Sequence, residues 1–130
     1  MERHFEKDLN ELKERLLWMG SLAERAVHQA VHAVLDSDEQ LAKRVVEEED
    51  AINQLQMEID DRVVQLLALY QLMATDLRFV LAVSRINNDL ERIGDEGEKI
   101  GYIASRLATM ERPADKYREI KHLGRVVSEM

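Results

Sequence analysis

The 130-residue chain contains no cysteine, which excludes disulfide frameworks and thiolate metal sites and leaves carboxylate and imidazole as the available metal ligands. One proline, five glycines and an aromatic content of 5% leave few turn signals and little strand material. Long helices and an all-α fold are therefore expected. No uncharged apolar run reaches the roughly 18 residues of a membrane span. The opening residues Glu2, Arg3, His4, Glu6 and Lys7 are too polar for a signal peptide, so a cytoplasmic protein is expected. A Gly-rich phosphate cradle, a P-loop and a serine nucleophile elbow are all missing.

What is present is a chain that is 45% apolar and 34% charged, with a formal net charge of −8. It is long enough to bury a real core as one domain. Its negative charge repels nucleic acid phosphates, and no dense Lys/Arg tract offsets it, which argues against nucleic-acid binding. The acidity suits cations, or a basic patch on a protein partner.

Periodicity gives three long segments. Phe5, Leu9, Leu12, Leu16, Met19, Ala23, Ala26, Ala30 and Ala33 follow one another in alternating steps of four and three, predicting a first helix over about residues 5–35. The seam is bulky at first and then all alanine, so neighbours should approach closely near its C-terminal end. Asp36-Ser37-Asp38 breaks the pattern, and Ser37 or Asp38 can cap a second helix over about residues 39–70. Its inward positions are Leu41, Val45, Ile52, Leu55, Ile59, Val63, Leu66 and Tyr70. Thr75 or Asp76 can cap a third helix running to about residue 110. Short turns between segments of similar length predict an up-down-up, antiparallel three-helix bundle. Pro113 breaks the chain, and a fourth helix begins near Asp115 with an apolar edge of Ile120, Leu123, Val126 and Val127. Residues 1–112 thus read as one three-helix unit and residues 113–130 as the start of a second, truncated one. An unfinished apolar edge favours self-association.

The third helix carries the most informative motif. Glu91, Asp95 and Glu98 fall within about 60° of one another at 100° per residue. Leu90, Ile93, Gly94, Gly97, Ile100 and Gly101 gather on the other side, so three oxygen ligands for a hard metal ion would face outward. A solvated helix face is the plainer reading of such a triple. Like charges four apart destabilise a helix by a few tenths of a kcal/mol, a penalty that a bound cation would reverse. The second helix is also acid-rich around Glu47-Glu48-Glu49-Asp50, but nothing in the sequence selects one of these as a further ligand. His28 and His32 have the spacing of a zincin helix with Gln29 where the general base would stand, and both point away from the alanine seam. Glu119 and His122 form a single ExxH, where di-iron bundles need two.

Asp76-Leu77-Arg78, followed at fixed distance by Glu91-Arg92-Ile93-Gly94-Asp95, resembles the signature of the PhoU family, regulators tied to bacterial phosphate transport. Leu41-Ala42-Lys43-Arg44-Val45-Val46 and Asp50-Ala51-Ile52-Asn53 are similar to that family's second helix. Leu72 stands where the family commonly has proline, and family members usually carry two copies of the three-helix unit. The resemblance implies a PhoU-like, spectrin-like bundle and a non-enzymatic, negative regulator of phosphate homeostasis. Its expected partners are the ATPase of the phosphate ABC transporter and a sensor histidine kinase, and a homodimer or other homo-oligomer is expected beside them. It also implies iron, manganese or zinc held by Glu91 and Asp95 and, more loosely, by Glu98; carboxylate ligands by themselves would accept Mg as well. Asp76 and Arg78 have local roles available, one at the helix N-terminus and the other toward an acid of the second helix; Arg92 can pair with Asp89 or Glu96 or face a partner. The rival readings are a ferritin-like carboxylate-metal enzyme and a plain helical dimerisation module.

Overall fold

A computed structural model describes residues 2–108, 122–127 and 129. Three helices, α1 (Glu2–Asp36), α2 (Glu39–Leu69) and α3 (Ala74–Leu107), pack pairwise against one another in up-down-up order. No strand occurs among the described residues. The all-α three-helix fold expected from periodicity is the one observed, with breaks at residues 37–38 and 70–73.

The first break is made by Ser37, whose positive φ of 53° turns the chain, and by Asp38, whose carboxylate accepts from the Leu41 amide at 3.1 Å. That bond satisfies one of the free N–H groups that open α2. The second break differs from expectation. Helix α3 starts a residue before Thr75, with Met73 as N-cap and no side-chain cap bond, so neither Thr75 nor Asp76 caps it. Asp76 lies within the first turn, where its charge complements the helix dipole. The break at Pro113 and the boundary at residue 112 lie outside the described residues. Residues 122–127 are helical, with Leu123, Val126 and Val127 exposed; Ile120 is not among those described.

The core runs the length of the bundle. Leu12, Met19, Leu22 and Ala26 of α1 meet Ile52, Leu55, Ile59, Val63 and Leu66 of α2 and Val80 and Val83 of α3. At the far end Ala33, Ala42 and Ala104 form a second buried cluster, with Val34 and Leu41 packed against it. Small residues there let backbones close in. A β-carbon on Gly97 would stand 3.2 Å from the Ala26 carbonyl carbon, and one on Gly101 the same distance from the Ala42 oxygen. Both glycines therefore fit close packing, where each costs about 1 kcal/mol of helix propensity relative to alanine. At the opposite end Phe5 and Tyr70 stack edge-on at 5.2 Å, and the Tyr70 hydroxyl donates to Asp8 Oδ2 at 2.8 Å. That bond to a carboxylate pushes the Tyr70 pKa above its ordinary value. Between α1 and α2, Arg62 bridges Glu11 at 3.0 Å and Glu58 at 3.3 Å, with Arg15 on the other side of Glu58 at 3.2 Å.

One expectation about α3 is corrected. Its buried line is Val80, Val83, Asn87, Gly94, Gly97, Gly101 and Ala104, whereas Ile93 is 44% exposed. The expected stripe is right in its glycines, Leu90 and Ile100 are half-buried and Ile93 is exposed, and α3 is turned so that Val80, Val83 and Asn87 share its buried line.

Candidate acidic site between α2 and α3

The rotation of α3 moves its carboxylates. Glu91, Asp95 and Glu98 are half-buried and lie on the flank of α3 that turns toward α2, not on a face opposite the core. There they meet a residue that the sequence had not singled out. Glu49 is only 4% exposed, in a run of acids that otherwise faces solvent. Its signal was present: Glu49 falls four residues after Val45 and three before Ile52, on the buried line of α2.

Glycine makes the approach possible. A β-carbon on Gly94 would stand 2.9 Å from Ile52 Cδ1 and 3.3 Å from Glu49 Oε2, so the Glu49 carboxylate lies over the α3 backbone where a side chain is lacking. Glu49 Oε2 has no hydrogen-bond partner. Burial pushes the Glu49 pKa up, and the neighbouring Glu98, Glu91, Asp95 and Asp50 charges push it further, to about 7. Glu98 is also raised, by burial first and then by Asp95 and Asp50. An unpaired buried carboxylate costs several kcal/mol when ionised, so a proton or a cation is the natural counterweight.

Cations of the protein do little of this work. Lys99 pairs with Glu96 at 3.3 Å and Asp95 at 3.5 Å on the exposed side, and these contacts raise its own pKa. Arg25 reaches Glu48 at 3.5 Å. Among the described residues Arg78 and Arg92 make no ion pair, so neither the α2 partner expected for Arg78 nor an Asp89 or Glu96 partner for Arg92 is seen. As the side chains stand, no three His, Asp or Glu residues among those described converge closely enough to hold a metal ion. His28 lies 3.7 Å from Glu24 at the surface, and His32 is exposed. Gln56 and Asn87 form a polar patch further along the α2–α3 seam. Asn87, fully buried, donates to the Gln56 carbonyl at 3.0 Å and to Asp60 Oδ1 at 3.1 Å.

The class defined by these features is an antiparallel helical bundle with a carboxylate cluster along one seam, in which no described helix is long and apolar enough to cross a membrane. Residues 16–104 match the family model for the PhoU domain, and the chain belongs to the PhoU family. It is 38% identical over 130 residues to the phosphate-specific transport system accessory protein PhoU homolog of Pseudomonas aeruginosa, covering 100% of this chain and 54% of that protein. The Aquifex aeolicus homolog of the same name is 37% identical over 124 residues, 95% of this chain and 56% of the relative. A crystal structure of PhoU from Pseudomonas aeruginosa superposes with a TM-score of 0.89 at 39% identity, over 96% of this chain and 60% of that one. The chain thus spans about half the length of the curated relatives it matches.

Proposed function

We propose that this protein is a metal-binding regulator of phosphate transport and phosphate-starvation signalling, acting in the cytoplasm by contact with other proteins and catalysing no reaction. Family membership and the accessory role in the relatives' names support the regulatory reading. The partners proposed on the resemblance are the ATPase of the phosphate transporter and a sensor histidine kinase.

The observation that carries the metal assignment is the orphaned Glu49 Oε2, buried among Glu91, Asp95, Glu98 and Asp50. An all-oxygen donor set of this kind suits Fe, Mn, Mg or Zn, and a cation there would relieve the mutual repulsion of the acids. Glu91, Asp95 and Glu98 would hold the ion with Glu49 beneath them, after side-chain rotation brings their oxygens together. The ion would supply positive charge that ties α2 to α3 and gives the acidic flank a surface for a partner. A ferritin-like enzyme is less well supported, because such sites need several inward glutamates and histidines, and Glu49 is the only buried carboxylate among the described residues.

The test is elemental analysis of purified wild type and of Glu91→Ala/Asp95→Ala, with circular dichroism on both and co-purification with the transporter ATPase. The double variant is expected to lose metal while keeping its helicity. Equal metal in both proteins would remove the assignment, and unaltered metal with no bound ATPase would remove the partner.

A further inference from the structure

One edge of α3 carries a basic residue at every seventh position, Arg78, Arg85, Arg92, Lys99 and Arg106, in a chain whose net charge is −8. All five are exposed. At 100° per residue Arg78, Arg85 and Arg92 fall within about 40° of one another, on the side of the helix opposite its buried line of Val80, Asn87 and Gly94. Lys99 is occupied by Asp95 and Glu96. Arg78, Arg85 and Arg92 make no ion pair among the described residues. Asp89 and Glu96 stand four residues on from Arg85 and Arg92 in the same helix, but a base before an acid is the less favourable order for such a pair.

Beside the stripe, on the side turned to α2, the surface is apolar. Leu77 and Leu81 of α3 are 37% and 44% exposed, and Val64 and Leu67 of α2 are 63% and 41% exposed. The hydrogen bonds from Gln56 to Asn88 and from Asn87 to Asp60 fix the antiparallel register of α2 and α3. Carried toward the connecting turn, that register sets Leu67 level with Leu77 and Val64 level with Leu81. Four exposed apolar side chains thus flank one stretch of the seam, and Arg78 and Arg85 border it. This stretch lies about 33–45 Å along α3 from Leu107. The connection from Ala108 to His122 starts and ends at the head of the bundle, where Ala33 meets Ala104 and Gly124 lies against Leu35. At about 3.5 Å per residue a connection of that length reaches at most roughly 25 Å from the head, well short of the patch.

We propose that this stretch docks an amphipathic, acidic helix of a protein partner, whose apolar side chains lie on Val64, Leu67, Leu77 and Leu81 and whose carboxylates meet Arg78, Arg85 and Arg92. An apolar centre bordered by arginine is the composition of a protein-binding patch. Seven residues is the interval at which packed helices return to one another, so a helix laid along the seam with an acid in each heptad meets the three arginines in turn. Each guanidinium presents a fork that a carboxylate can fill with two hydrogen bonds. Charge complementarity therefore selects an acidic occupant. It disfavours a membrane surface or a nucleic acid, because Asp89 and Glu96 on one flank of the stripe and Glu91 and Asp95 on the other repel a continuous array of phosphates. The docking surface goes beyond the function proposed above, and it is the same with or without a metal ion at Glu91.

Two labelled peptides of about four heptads are the probes, each with leucine along one stripe, flanked in one by glutamate and in the other by lysine. Fluorescence anisotropy against the full chain is expected to show the glutamate peptide bound about tenfold or more tighter than the lysine peptide. Arg78→Glu/Arg85→Glu should reverse that preference, and Leu81→Ser should weaken the glutamate peptide severalfold. Circular dichroism should be unchanged in both variants, because all three side chains are exposed. A wild type without preference for the glutamate peptide, a double variant that keeps the wild-type preference, or indifference to Leu81→Ser would each overturn the proposal. So would binding of phosphatidylglycerol vesicles, or self-association in sedimentation, that the wild type shows and the double variant loses, since these assign the stretch to a membrane or to a second copy.

Discussion

Glu49 of α2 lies across the bare backbone of Gly94 in α3: a β-carbon at Gly94 would stand 3.3 Å from Glu49 Oε2. The missing side chain on one helix makes room for a buried carboxylate on the other, and the pair fixes the depth at which the acidic seam begins.

The first prediction follows from the Glu49 pKa of about 7, raised above its ordinary value of 4.5 by burial and by its acidic neighbours. The folded state holds a proton there that the unfolded chain releases between those two values, so this group makes stability fall as pH rises from about 4.5 to about 7. Glu49→Gln removes the effect. In metal-free protein it is expected to flatten that part of the profile and to raise stability at pH 8 by on the order of 3 kcal/mol, an upper figure given neighbouring flexibility. Urea denaturation at a series of pH values measures it, and an unchanged pH slope would contradict the assignment.

Metal binding should carry the same signature. Carboxylates of ordinary pKa, near 4, would lose an ion only in acid. With Glu49 among the ligands, affinity is expected to weaken as pH falls through about 7, because the proton competes for the same oxygen. Isothermal titration with Mn(II) at pH 8, 7 and 6 reads this directly. Weakening confined to pH below 5 would leave Glu91, Asp95 and Glu98 as ligands without Glu49.

Gly97→Ala is expected to destabilise by about 1–3 kcal/mol even after the gain in helix propensity. The new methyl would meet the Ala26 backbone at 3.2 Å, and backbone cannot rotate away. At Gly94 the nearest atom, at 2.9 Å, is the end of the Ile52 side chain, which can turn. Gly94→Ala should therefore cost less in stability but disturb the Glu49 carboxylate. Thermal melts of the two variants compare them.

Asn87→Ala is expected to cost about 2 kcal/mol, since it leaves the Gln56 carbonyl and Asp60 without the amide that now donates to both and opens a small cavity. Asn87→Leu would restore volume without the donors. If the leucine variant is at least as stable as wild type, the asparagine serves register rather than stability.

Much of this was legible in the sequence. The heptad seam of α1, the inward positions of α2 and the Asp38 cap were readable because a helix repeats every 3.6 residues and a short polar side chain suits its free N–H groups. The glycines were readable as sites of close contact, and the alanine half of α1 as the place for it. The third helix was harder. Its glycines were placed on the right side, but the stripe drawn through them ran on to Ile93, which is exposed, and left out Val80, Val83 and Asn87, which are buried. The error carried the carboxylates to the wrong side, away from Glu49.

Sequence by itself thus determined that three long helices form, where α2 begins, and that acids crowd α2 and α3, because these follow from local spacing and side-chain chemistry. Tertiary packing alone decided how far α3 is turned about its axis, since that depends on how closely α1 and α2 approach Gly94, Gly97 and Gly101. From that one rotation follow the half-burial of Glu91, Asp95 and Glu98, the raised pKa of Glu49, and the exposure of Ile86 and Ile93 on the opposite side. A solvated acid and a buried one have the same letter in the chain; only the dielectric and the neighbours that folding brings give them different chemistry.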